Sequence, residues 1–237
     1  MGSNLRRYTL WQIRDFARER GIALLLVGTL IGATLIGPVR AMGREIDAGI
    51  AKTLLTAALS QIAYILAFIT LNGIVSTDRK QGYYRFLFSK PVSIPAYYAQ
   101  LFVVYLVGFL GTIAILLGGF AIFAHPVSPI GPLLYCGLVY LSLGGIAFLI
   151  STLFRYDWSV LAALLLASTV FHSMWQYREG WRRLFLSVLP PVYRLSGTME
   201  DIMNKGMVNT EDVLWLLGYS AICFAAGLVV LGRRPFA

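Results

Sequence analysis

The residues best equipped to interact lie in one short stretch between positions 76 and 93. Asp78, Arg79, Arg85 and Lys90 carry charge there, and Tyr83, Tyr84, Phe86 and Phe88 carry aromatic rings. Such a mixture does not make or break bonds; it docks. Rings fill pockets on a partner, and charges of both signs set orientation by pairing. Gly82 permits a tight turn or a close approach, and Pro91 separates the segment from the helix that follows. The plainer use of the same composition is a loop resting on anionic lipid headgroups.

Bond-making chemistry has little to work with elsewhere. The only two histidines are His125 and His172, with no carboxylate spaced to complete a metal site. They read as a turn residue and a hydrogen-bonded residue of a membrane span. Cys136 and Cys223 sit in apolar runs and read as small hydrophobes. The phosphate cradle GxxxxGK[ST], the zinc motif HExxH and the nucleophile elbow GxSxG are all missing from the sequence. Ser142, Ser168, Thr169, His172 and Gln176 are the polar residues from which a lipid-modifying membrane enzyme would have to be built, and they show no catalytic spacing. The expectation is a chain that is not itself an enzyme and holds no cofactor. A lipid enzyme and a non-transporting scaffold subunit are the alternatives.

The elements that carry these residues follow from composition. Of 237 residues, 58% are hydrophobic and 13% charged, whereas a soluble domain carries about 25% charged residues. Long apolar runs with this deficit define an all-α integral membrane protein. A net charge of +9 would raise nucleic-acid binding in a soluble protein. Here the basic residues flank apolar runs, which assigns them to lipid headgroups and to orientation. Six spans are predicted at about 22–39, 54–75, 96–123, 133–154, 158–175 and 213–231, forming a single transmembrane domain over 1–237. Pro38 is expected to end the first span, and the proline-rich turn around His125 divides the third from the fourth. Gly28 and Gly32 form a GxxxG pair suited to close helix approach. Gln61 and Asn72 are three turns apart on nearly one face of the second span, as pathway residues or helix–helix polar contacts.

An interfacial helix is predicted at 5–20. Leu5, Leu10, Ile13, Phe16 and Ala17 share one face, Arg7, Arg14 and Arg18 another, and Trp11 is an amphipathic ring of the kind found at the headgroup level. The first apolar run begins after this charged segment and is long enough to remain as a span, so no cleavable leader is expected; Arg6 breaks the myristoylation pattern that Gly2 begins. With six spans both termini share a side. If that side is the cytoplasm, it holds 12 of the 20 lysines and arginines, a modest bias in the expected direction. The stretch 76–93 is then cytoplasmic, and 176–212 is an external loop with short helices. No Asp, Glu, Lys or Arg falls inside a predicted span, which argues against a proton-coupled carrier. Active transport would need power from a partner.

This order of elements resembles the permease subunit of ABC-2-type ABC transporters. The specific part of the likeness is Asp78-Arg79-Lys80-Gln81-Gly82-Tyr83-Tyr84-Arg85-Phe86-Leu87-Phe88-Ser89-Lys90-Pro91-Val92-Ser93, followed by Tyr97 and Tyr98 at the start of span three; Ala99-Gln100 stands where the family often has Gly-Lys. The resemblance implies an elbow-like N-terminal helix, six transmembrane helices of the ABC-2 exporter type, and a loop at 76–93 that docks into a cytoplasmic ATPase. It implies two ATPase subunits, which bind ATP and Mg, and a second permease subunit, identical or homologous. The membrane would be the bacterial cytoplasmic membrane, and the largely apolar spans lean toward apolar or amphipathic cargo. The topology is testable by itself. Cysteines introduced within 177–212 should react with a membrane-impermeant maleimide added to intact cells, whereas Lys80→Cys should react only after permeabilisation; the reverse pattern contradicts the orientation.

Overall fold

The computed structural model describes residues 2–41, 46–81, 93–154, 156–175 and 180–233, and all regular structure among them is helical. The helices are α1 (Gly2–Phe16), α2 (Ile22–Ala41), α3 (Ala48–Leu71), α4 (Ser76–Gln81), α5 (Ile94–Phe123), α6 (Ile130–Leu153), α7 (Asp157–Trp175), α8 (Trp181–Val188), α9 (Val192–Glu200) and α10 (Thr210–Arg233). Six helical stretches, built on α2, α3, α5, α6, α7 and α10, are long and apolar enough to cross a membrane. The chain is a multi-pass membrane protein by length and composition. Outward positions such as Leu26, Leu30, Val107, Ile115, Leu166 and Ile222 are exposed and apolar, as a surface in contact with hydrocarbon requires.

Three local features differ from the sequence expectation. Pro38 lies inside α2, which runs on to Ala41. A proline removes one backbone donor, and near the end of a helix that loss is tolerated. The segment predicted as a separate interfacial helix is not separated by a loop: a π-helical turn, Ala17–Gly21, joins α1 directly to α2. The polar loop expected at 40–52 is shorter, because α3 starts at Ala48. Asp47 caps it, its carboxylate accepting from the Ile50 N–H at 2.7 Å.

α6 is the central helix. It packs against α3, α5, α7 and, most extensively, α10. Tyr135, Cys136, Val139, Tyr140 and Phe148 on it are fully buried. Aromatic rings knit α5, α6 and α10 together. Phe102 lies 5.1 Å from Tyr140 and 5.0 Å from Phe224, and Phe148 lies 4.5 Å from Phe224. The Tyr140 hydroxyl donates to the Phe102 carbonyl at 3.0 Å, so its polar end is satisfied inside the core. Close approach of α6 to α10 rests on Gly145, where an added Cβ would run into the Ser220 backbone. The Ser220 hydroxyl in turn donates to the Leu141 carbonyl. Small residues that let backbones approach and a hydroxyl shared across the contact are how helices associate in lipid.

Gly145→Ala should therefore lower the thermal unfolding temperature, with an overpacking cost of about 1–3 kcal/mol. Gly111→Ala, where a Cβ meets open space, should leave it unchanged or raise it. Equal melting of both variants and the parent would contradict the packing.

Candidate coupling site

Successive helices run up and down, so the end of α3, the starts of α5 and α7, the end of α6 and the join of α1 to α2 meet at one end of the bundle. The connection between α3 and α4 crosses this end as a tight turn over residues 72–75. Gly73 takes φ 72°, a left-handed conformation that suits glycine. Gly73, Ile74, Val75 and Ser76 are buried, so the turn's amides are cut off from water and need protein acceptors. Two side chains of the α6–α7 region supply them. The Asp157 carboxylate accepts from the Gly73 N–H at 3.2 Å and from the Ser76 hydroxyl at 2.8 Å. The Ser151 hydroxyl accepts from the Val75 N–H at 3.1 Å and the Ser76 N–H at 2.9 Å. The other Asp157 oxygen accepts from the Trp158 N–H at 3.1 Å, at the start of α7, where negative charge also meets the positive end of the helix dipole. Asp157 is the only charged residue in the buried set of the described residues.

α4 is held from a second direction. The Tyr98 hydroxyl, at the buried start of α5, donates to Asp78 at 3.1 Å. Tyr98 packs edge-on against Tyr97 at 5.1 Å, and Tyr97 against Tyr8 of α1 at 5.9 Å. The N-terminal helix closes the cluster through Tyr8, Gln12 and Phe16, four residues apart and so on one face. Gln12 and Phe16 are buried, and the Phe16 ring lies 5.4 Å from Tyr105. Gln100 donates to the Thr9 hydroxyl at 2.7 Å. Arg20 donates to the Thr70 carbonyl near the end of α3 and lies 4.6 Å from the centre of the Tyr105 ring. A guanidinium at a helix C-terminus meets the negative end of its dipole, and a ring face adds a cation–π contact.

The apolar face predicted for α1 is divided in the structure. Phe16 is buried, but Leu10, Ile13 and Trp11 are exposed together with Arg14 and Arg18. The exposed side mixes apolar residues, an indole and arginines, a composition suited to the headgroup region. Of the predicted docking residues, Asp78 is placed in the cluster, and Arg79 falls in α4. Gly82, Tyr83, Tyr84, Arg85, Phe86, Phe88, Lys90 and Pro91 lie outside the described residues, as do the side chains of Arg7 and Arg79. Gln61 and Asn72 are exposed and face away from this chain's own core.

The polar residues considered for a lipid enzyme do not converge. Ser142 and Thr169 donate to carbonyls of their own helices, and Ser168 donates to the Pro190 carbonyl at 2.6 Å. His172 stacks on Tyr193 with centroids 4.2 Å apart, and Gln176 is outside the described residues. Among the described residues no group of three His, Cys, Asp or Glu is disposed to hold a metal.

Comparison of the chain with protein-family models, with curated proteins and with solved structures finds no match in any of the three. The functional reading therefore rests on the residues themselves.

At the opposite end of the bundle, α8 and α9 lie against α7, and α9 also touches α10. Arg194 of α9 pairs with Asp212 of α10 at 2.5 Å and lies 4.9 Å from the centre of the Trp215 ring. Loss of water acts to lower the Arg194 pKa, but the hydrogen bonds and charges of Tyr193 and Asp212 outweigh it and raise the pKa. The Arg194 guanidinium therefore keeps its charge. The two ends are built differently. The α8–α9 end is tied by an ion pair and surface rings, and the α3–α4 end by hydrogen bonds to buried backbone.

Neither Asp157 nor Ser151 stands out in the sequence: one borders the predicted fifth span and the other lies within the predicted fourth. The only local hint was an acidic residue at a helix start; its partners lie about eighty positions earlier in the chain. Asp157→Ala should leave two buried donors without an acceptor, at about 1–3 kcal/mol each. Ser151→Ala should do the same for two amides. A clear drop in thermal unfolding temperature for both variants is the expected outcome, and parent-like melting of Asp157→Ala would show that the turn does not depend on it.

Proposed function

We propose that the chain is the membrane-spanning permease subunit of an ATP-driven, ABC-2-type exporter, with both termini in the cytoplasm of a bacterial cell. It would pair with a second permease and work with two cytoplasmic ATPase subunits. The observation that carries this reading is the way α4 is held. A short amphipathic docking segment is useful for transmission only if it moves with the spans. Here the turn that feeds it is bonded to the ends of α6 and α7 through Ser151 and Asp157, and its Asp78 to α5 through Tyr98. A push on α4 reaches four spans without crossing a soft joint.

Two further features support the proposal. The sequence holds no phosphate-binding motif, so power has to enter from outside. The N-terminal helix packs on α5 beside the same cluster, where an elbow-like helix at the headgroup level would brace the contact with the ATPase. In this scheme the rings of Tyr83, Tyr84, Phe86 and Phe88 fill a cleft on the ATPase, and Arg79, Arg85 and Lys90 fix its orientation. ATP binding draws the two ATPases together, and the resulting movement of α4 tilts the spans.

Affinity purification of the tagged chain from its native host should recover a soluble protein with a Walker A motif. Replacing Arg85 by Glu and Phe86 by Ala should reduce that recovery roughly tenfold or more, the scale of one lost anchor. Undiminished association of the ATPase with the doubly substituted chain would remove the loop from this role. Recovery of a stable complex without any ATPase would remove the exporter reading.

A further inference from the structure

The helices α2, α3 and α5 diverge toward the end of the bundle away from α4, and a cleft of about 520 Å³ opens between them. Its wall on α2 is a stripe one turn apart: Leu25, Thr29, Gly32, Ile36 and Arg40. Leu59 of α3 and Phe120 of α5 are among the residues that close the other sides. Gly32 and Gly119 border it, and a Cβ at either would meet nothing within 4 Å, so both face open space. Arg40, at the rim, is the one charged residue among the described lining residues. Apart from Thr29 and Arg40, the described lining residues are apolar or glycine.

We infer that this cleft holds an acyl chain of an anionic phospholipid, with Arg40 on its phosphate. Length and charge favour that occupant. The cleft runs from Ile113 to Phe123 on α5 and from Leu25 to Arg40 on α2, about 15 and 22 Å at 1.5 Å per residue, room for a chain that spans one leaflet of a hydrocarbon core of about 30 Å. An arginine at the mouth of an apolar cleft, on a helix end, pairs with a phosphate through a forked set of donors and can reach the headgroup level. The inference depends only on the chain lying in a membrane and holds whether or not the chain is a permease.

The test uses the full chain extracted from vesicles of equal parts phosphatidylglycerol and phosphatidylcholine, washed with excess detergent. Phospholipid retained per chain is counted by native mass spectrometry. The parent should retain phosphatidylglycerol in preference to phosphatidylcholine by roughly fivefold, the scale of one cation near a phosphate. Gly32→Phe and, independently, Gly119→Phe should each fill the cleft and reduce retained lipid roughly fivefold or more, with unchanged elution volume and melting. Two variants on different helices guard against one failing to fold. Arg40→Gln should keep total lipid and lose the preference for phosphatidylglycerol. Parent-like retention in both filled variants overturns the inference. So does a filled variant that keeps its lipid but shifts from dimer to monomer, because the cleft then belongs to a second copy of the chain.

Discussion

A buried backbone turn is costly where its amides lack acceptors, and at residues 72–76 the Gly73, Val75 and Ser76 amides find theirs on two side chains. Asp157 and Ser151 receive four hydrogen bonds from it. Asp157 is the only charged residue in the buried set of the described residues. An isolated carboxylate at such a site is penalised by loss of water, and the Gly73 N–H, the Ser76 hydroxyl, the Trp158 N–H and the start of α7 offset that penalty. The arrangement fixes where α4 leaves the bundle. It also makes the direction of α4 a property of α6 and α7, because the acceptors belong to them.

The remaining packing is organised around the same end. α6 is buried along most of its length and pulls α10 close through Gly145 and the tilted rings of Phe148 and Phe224. α1 is bound by aromatic packing and by the Gln100–Thr9 hydrogen bond to the start of α5, and Arg20 ties its junction with α2 to the end of α3. The outcome is a set of helix ends joined by side-chain contacts at the side where α4 emerges. The spans open away from it, and the cleft between α2, α3 and α5 lies in that opening. In the exporter proposal, movement of α4 passes to the spans through these contacts at one end.

The spans were legible in the sequence because lipid imposes a blunt requirement: about twenty apolar residues between polar flanks. The proline-rich turn after residue 124 divided two of them, and the helix before Pro190-Pro191 stopped where the prolines stop it. Pro38 was misleading, since a proline in the last turn of a membrane helix costs little. The inner face of α1 was not legible: the packed stripe is Tyr8, Gln12 and Phe16, two of whose members carry polar atoms, while Leu10 and Ile13 stay exposed. The clasp was not legible at all. Asp157 sits beside an apolar run, where a charge ordinarily marks the membrane boundary, and nothing within its own neighbourhood encodes the Gly73 amide or the Ser76 hydroxyl that it meets in the fold.

The central claim is that the Asp157–Ser76 contact binds the α3–α4 turn to the α6–α7 end as one unit. A double-mutant cycle measures it directly: Ser76→Ala, Asp157→Ala and the double variant, each compared by thermal unfolding of the purified chain in the same bilayer discs. The account predicts non-additivity, with the double variant losing little more stability than Asp157→Ala alone and a coupling of about 0.5–3 kcal/mol. Strictly additive losses would mean that the two residues act independently and that the turn is held by something else.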